Sequence, residues 1–279
     1  MIIVVLILLG LCFGSFVNAL VWRLHEQAKP KKKRAASDAE LSISKGRSMC
    51  PHCKHTLSAL DLLPVVSWLA LGGKCRYCRK PIGWQYPLVE SLTALLFVLS
   101  YLVWPWGWSA AGYVMLGAWL VGLVLFMALI VYDIRWMLLP NKLVFPLTGA
   151  AIVSCAAFIA ADPHPLHAVI MAAISVAVAG GLFYVLFQVS GGRWIGGGDV
   201  KLGWALGLFV VRPGLAMLVL FGSCLIGTIY ALPLLALGKL KRTAHVPFGP
   251  FLICATVVAM LFGQRIIDWY AYSVLLLPR

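Results

Sequence analysis

Apolar runs of about twenty residues follow one another along most of this chain, the length an α-helix needs to cross the hydrocarbon core of a bilayer. The chain opens with one of them, MIIVVLILLGLCFGSFVNALVWRL, which has no basic segment ahead of it and no small-residue cleavage site, so it reads as a retained first span. The composition agrees: of 279 residues, 62% are hydrophobic and 11% charged, whereas soluble domains carry about 25% charged residues. The expected fold is therefore an all-α polytopic membrane protein of about eight helices. Hydropathy places the spans near 2–22, 88–104, 110–132, 143–161, 168–189, 199–212, 214–237 and 247–262. The sixth is short for a full crossing at about 1.5 Å per residue.

The net charge of +14 is concentrated, with 13 of the 23 Lys and Arg residues between Arg23 and Lys80. Such a block beside apolar helices marks a cytoplasmic face able to touch anionic lipid. The membrane composition argues against nucleic acid as its partner. With residues 24–87 in the cytoplasm, the loops at 133–142, 190–198 and 238–246 are cytoplasmic too, and they carry Arg135, Lys142, Arg193, Lys239, Lys241 and Arg242. The N-terminus is then outside, and Arg212 and Arg265, which would be outside too, dissent from the asymmetry. The expected divisions are a first transmembrane helix (1–23), a basic, cysteine-bearing cytoplasmic domain (24–87), a seven-helix core (88–262) and an interfacial aromatic tail (263–279). The segment EQAKPKKKRAASDAELSISK (26–45) reads as flexible.

Within the cytoplasmic domain lie CPHC and CRYC: Cys50, Cys53, Cys75 and Cys78. Two residues between the members of each pair let both thiolates reach one cation from a tight turn, and two such turns complete a tetrahedral sulfur site for zinc. A closed four-sulfur site holds a small zinc-ribbon-like fold together and leaves no position open for chemistry. Disulfides are disfavoured in the cytoplasm.

The chain has only nine acidic residues, so an acid at the end of an apolar span needs an account. Asp133 closes the third span in LIVYDIRWMLLPNKL, and Asp199 opens the sixth in WIGGGDVKLG. The charge-based orientation puts both on the cytoplasmic face. Two carboxyls sharing a site do not both ionise easily; the pair can then hold one proton and act as general acid and base on a peptide bond, with no catalytic metal. Gly196 and Gly198 lack a Cβ, which lets the backbone bend or a substrate strand approach. Simpler roles compete: Asp199 as a helix N-cap, Asp133 paired with Arg135, Asn141 as a cap, and Lys201 either balancing the acids or snorkelling to head groups. Glu90 is a further positioning or substrate-contacting candidate.

These segments, with GSFVNALVWRL (14–24), the region 46–90, YDIRWMLLPNKLVFP (132–146), GGGDVKLGWALG (196–207) and VPFGPFL (246–252), resemble in sequence and order the prepilin peptidases, or type IV leader peptidases, a GxGD-type membrane aspartic peptidase family. The resemblance implies cleavage of leader peptides from type IV prepilins or pilin-like secretion subunits at the cytoplasmic face, with Asp133 and Asp199 as the catalytic pair. It also implies N-methylation of the new N-terminus from S-adenosylmethionine in the bifunctional members, although no glycine-rich motif for that donor is visible here. Arg135 and the long basic insert depart from the family pattern. Two other readings remain at this level: a non-enzymatic scaffold or transporter with a zinc-ribbon docking domain, and a methyltransferase alone.

Overall fold

The computed structural model describes residues 1–34, 36–43, 45–241 and 245–274. Arg242 and the last five residues of the expected tail lie outside the described residues. The chain falls into two compact units, Met1–Leu99 and Ser100–Arg279.

The first unit begins with α1 (Ile2–Ala28), which continues past the expected end of the first span. Its polar last turns have partners: Arg23 donates to the carbonyls of Ile43 and Gly46 at 3.2 and 2.8 Å. Arg34 donates to the orphan carbonyls of Gln27 and Lys29 and also pairs with Asp38. The basic segment, expected to be flexible, is thus folded back, in its described part, onto the carbonyls that a helix end leaves unsatisfied. Beyond it come a 3-10 turn (Ala59–Leu62), the short α2 (Val66–Ala70) and α3 (Gln85–Leu102). The α1 and α3 backbones come close at two glycines one turn apart: Gly10 faces the Ala94 backbone, and a Cβ at Gly14 would sit 2.5 Å from Glu90 Cα. This is the small-residue spacing that lets membrane helices approach.

The second unit holds α4 (Ala110–Trp136), α5 (Asn141–Ala161), α6 (Pro165–Val176), α7 (Leu182–Ser190), α8 (Gly197–Val210), α9 (Pro213–Ala236) and α10 (Gly249–Ser273). A π-helical turn at Ala177–Gly181 joins α6 to α7 within one apolar run. Among the described residues, seven helical stretches are long and apolar enough to cross a membrane. The expected sixth span is α8, whose 14 residues extend about 21 Å, short of the roughly 30 Å hydrocarbon core. Its surroundings explain how it remains embedded: α5, α6, the π turn, α7, α9 and α10 all pack against it. It therefore meets protein on most sides, with Leu202, Ala205, Leu206, Phe209 and Val210 fully buried. Close approach again uses glycine, because a Cβ at Gly203 would sit 2.6 Å from the Ala179 carbonyl of the π turn. Trp119 and Phe126 of α4 clasp Phe209 of α8 at ring separations of 5.6 and 5.8 Å. The helix α10 runs without a break through position 262, where the apolar core was expected to give way to a tail.

Candidate active site

Three helix ends meet at one end of the second unit. The helix α4 closes with Met137 in the left-handed region (φ 52°), its N–H bonded to the Asp133 carbonyl. That turn sends Leu138–Pro140 across to α5. Asp133 is buried (5% exposed) and forms no ion pair among the described residues, so it is not balanced by Arg135. Instead its Oδ2 accepts the backbone N–H of Gly249 at 3.1 Å. Gly249 is the first residue of α10, so the Asp133 carboxylate takes one of the donors that a helix N-terminus leaves unsatisfied.

Asp199 is half-buried in the first turn of α8, whose N-cap is Gly196 rather than Asp199. The Gly196 N–H points to its carboxylate, which lies within electrostatic reach of Asp133. The two acids are therefore brought together, each beside the N-terminus of a helix. The glycines serve by size: neither Gly196 nor Gly198 has a positive φ, so the expected need for unusual backbone angles does not apply. A Cβ at Gly198 would sit 3.0 Å from Leu139 Cβ, and one at Gly249 would sit 3.4 Å from Leu139 Cδ2. Leu139 thus packs against the first turns of both α8 and α10. Lys201 donates to Asn141 Oδ1 at 3.0 Å and ties α8 to the start of α5, whose N-cap is Pro140 rather than Asn141.

In the first unit the four cysteine sulfurs lie within 4.8 Å of one another, and Cys50 and Cys78 are 3.9 Å apart. A tetrahedron with Zn–S bonds of about 2.3 Å has edges of about 3.8 Å, so the four thiolates fit a zinc ion. The two turns repeat each other. Cys50 N–H donates to His55 O and Lys54 N–H to Cys50 O; Cys75 N–H donates to Lys80 O and Arg79 N–H to Cys75 O. Lys54 and Arg79 adopt φ of 59° and 58° in equivalent places. Burial pushes the Cys50 thiol up to about 11. At Cys75 burial opposes ionisation, yet the backbone N–H groups of Cys78 and Tyr77 outweigh it and draw the thiol down to about 7.

The family model described as Bacterial Peptidase A24 N-terminal domain matches residues 8–104, and the one described as Type IV leader peptidase family matches 120–232. The prepilin leader peptidase/N-methyltransferase of Aeromonas salmonicida (strain A449) is 33% identical, covering 96% of this chain and 93% of the relative. This chain belongs to the type IV leader peptidase family. The relative of the same name from Pseudomonas aeruginosa is 35% identical over 95% of this chain and 91% of its own length. The type 4 prepilin-like proteins leader peptide-processing enzyme of Escherichia coli O78:H11 is 34% identical over 87% of each chain. No solved structure gives a significant match.

In this leader peptidase family member, Glu90 occupies a structural position within the first unit. It is buried, and its Oε2 accepts the N–H of Val65 at 2.7 Å. Val65 is β-branched yet holds φ of 60°, a costly conformation that this bond fastens. The residues missed at the sequence level are Gly249 and Leu139. The motif VPFGPFL contains Gly249, but a backbone N–H aimed at a distant acid has no side-chain signature; the signal was a glycine opening an apolar run.

Proposed function

We propose that this protein is a membrane-embedded aspartic endopeptidase that removes the leader from type IV prepilins or pilin-like secretion subunits, with Asp133 and Asp199 as its catalytic pair. The observation that carries the reading is the convergence of these two carboxyls, from α4 and α8, at one end of the second unit. The pair shares one proton. The ionised carboxylate takes a proton from water as the water oxygen attacks the scissile carbonyl carbon. The protonated carboxyl gives its proton to the carbonyl oxygen. The tetrahedral intermediate then collapses, the C–N bond breaks, and the leaving amine carries away a proton. Gly249, Gly196, Gly198 and Lys201 position this constellation; no metal takes part in the steps.

The positive-inside rule places the acid-bearing end and the tetracysteine unit in the cytoplasm and the N-terminus outside. The exposed Lys32 and Lys33 then face anionic head groups. Zinc held by Cys50, Cys53, Cys75 and Cys78 would cross-link the loop and supply no reactive position. The relatives' name supports a second activity, N-methylation of the new N-terminus with S-adenosylmethionine.

Purified protein in lipid, incubated with a pilin-like leader peptide, should release a product whose N-terminal sequence begins at the leader junction. Asp133→Asn and Asp199→Asn should each abolish the release while thermal unfolding is unchanged. Retained cleavage in both variants rules the pair out.

A further inference from the structure

Arg212 and Arg265, which dissent from the charge asymmetry, line one cleft in the structure. The helix α8 begins at the aspartates and ends beside Arg212; α10 begins at Gly249 against Asp133 and reaches Gln264 and Arg265. Arg212 donates to Gln264 Oε1 at 3.2 Å, so the C-terminal end of α8 lies beside the later turns of α10, away from the acids. There a cleft is lined by Trp104, Trp106, Arg212, Gln264 and Arg265 over an apolar floor that includes Leu215 and Met260.

The polar inventory of this cleft is one-sided. The Arg212 guanidinium lies over the Trp106 ring at 4.8 Å, which fixes its plane. Gln264 has its Oε1 taken by Arg212 and donates its amide to Asp268 at 2.8 Å. Arg265 is exposed and has no ion-pair partner among the described residues. The indole N–H groups of Trp104 and Trp106 are buried without a hydrogen-bond partner, and Trp104 is only 8% exposed. A buried donor left unpaired is costly, and both tryptophans border this cleft. No Asp or Glu lines the cleft. Every side-chain group still free to bond is a donor, and two are cationic. The loop sequence WPWGW (104–108) is the aromatic signature of head-group depth.

We propose that this cleft is a binding site for an anionic phospholipid, with the phosphodiester held by Arg212 and Arg265 beside the Trp104 and Trp106 rings, and the acyl chains running over Leu215 and Met260. The site lies at the face opposite Asp133 and Asp199 and does not depend on the peptidase reading. It gives Arg212 and Arg265 a reason to stand against the charge asymmetry.

The test is lipid retention by the full chain, purified in non-ionic detergent and measured by native mass spectrometry. Titration with phosphatidylglycerol should show one saturable site that phosphatidylcholine fills poorly. Arg265→Gln, at an exposed side chain without packing duties, should weaken that site about tenfold, as expected for losing a charge-assisted hydrogen bond. Arg212→Gln should weaken it further; thermal unfolding reports whether its loss from the Trp106 face has disturbed the fold. Millimolar inorganic phosphate should displace little lipid, because it lacks the acyl chains. Full displacement by phosphate would overturn the lipid assignment in favour of a free anion. Undiminished phosphatidylglycerol binding in Arg265→Gln, with Arg212→Gln folded and equally competent, would overturn the site altogether.

Discussion

Replacing Gly249 with alanine separates the acid pair's geometry from the stability of the fold. The new Cβ would sit 2.7 Å from Asp133 Oδ2 and 3.4 Å from Asp133 Cγ. Ordinary contact begins near 3.4 Å, so the carboxylate oxygen must retreat by about 0.7 Å. The first contact is the free end of a side chain and not backbone, so the helices need not separate. Alanine is also the better helix former, by up to about 1 kcal/mol in a helix interior. The retreat does, however, stretch the 3.1 Å bond from Gly249 N–H and turns the carboxyl away from Asp199. A displacement near 1 Å at reacting groups costs about 10²-fold in rate. Gly249→Ala should therefore keep its unfolding temperature within a few degrees and lose about a hundredfold in single-turnover cleavage of a leader peptide, with Asp133→Asn as the zero. Cleavage within twofold of the parent would refute the claim that Gly249 sets the position of Asp133. A collapse in stability would show that the 2.7 Å clash is relieved through the backbone.

Metal analysis of the purified chain should find one zinc per molecule; chelation should open residues 46–82 to protease, and unchanged protection would refute a structural metal. Asp61 is held at about 2, since Arg76, Ser58 and Tyr77 together outweigh the opposing effect of burial. Its folded value lies below the unfolded value of about 3.9, so its contribution is complete above pH 4 and is lost as pH falls through 2. The acid sensitivity of the loop between pH 4 and 2, read by limited proteolysis, should be shallower in Asp61→Asn than in the parent. At Gly14 a Cβ would meet backbone, with Glu90 Cα at 2.5 Å and Val89 O at 3.1 Å. Gly14→Leu should therefore destabilise the α1–α3 pair by at least the ~1–3 kcal/mol of core overpacking, seen as a lower unfolding temperature; an unchanged temperature would mean the helices do not touch there.

What could be read in advance was whatever declares itself within a few residues. The cysteines did so because a metal turn needs two thiolates three positions apart, and the model brings all four sulfurs together. Asp133 and Asp199 stood out because an acid at the end of an apolar run is expensive anywhere else. Three features were not legible, each for a different reason. Gly249 acts through a backbone N–H that every residue but proline carries, so only the fold shows that it opens α10 against an acid 116 positions earlier. Glu90 accepts the N–H of Val65, whose left-handed φ has no sequence signature. The sixth span looked merely short because hydropathy measures an apolar run against lipid. For α8 the relevant solvent is protein: Gly203 seats it against the π turn and Phe209 between Trp119 and Phe126. A helix so surrounded can present Asp199 at one end and Arg212 at the other over about 21 Å, without the length that a lipid-facing helix such as α9, at 24 residues, requires. The embedded α8 thus carries an acid to one face of the unit and ends two residues before Arg212, the N-cap of α9, at the other.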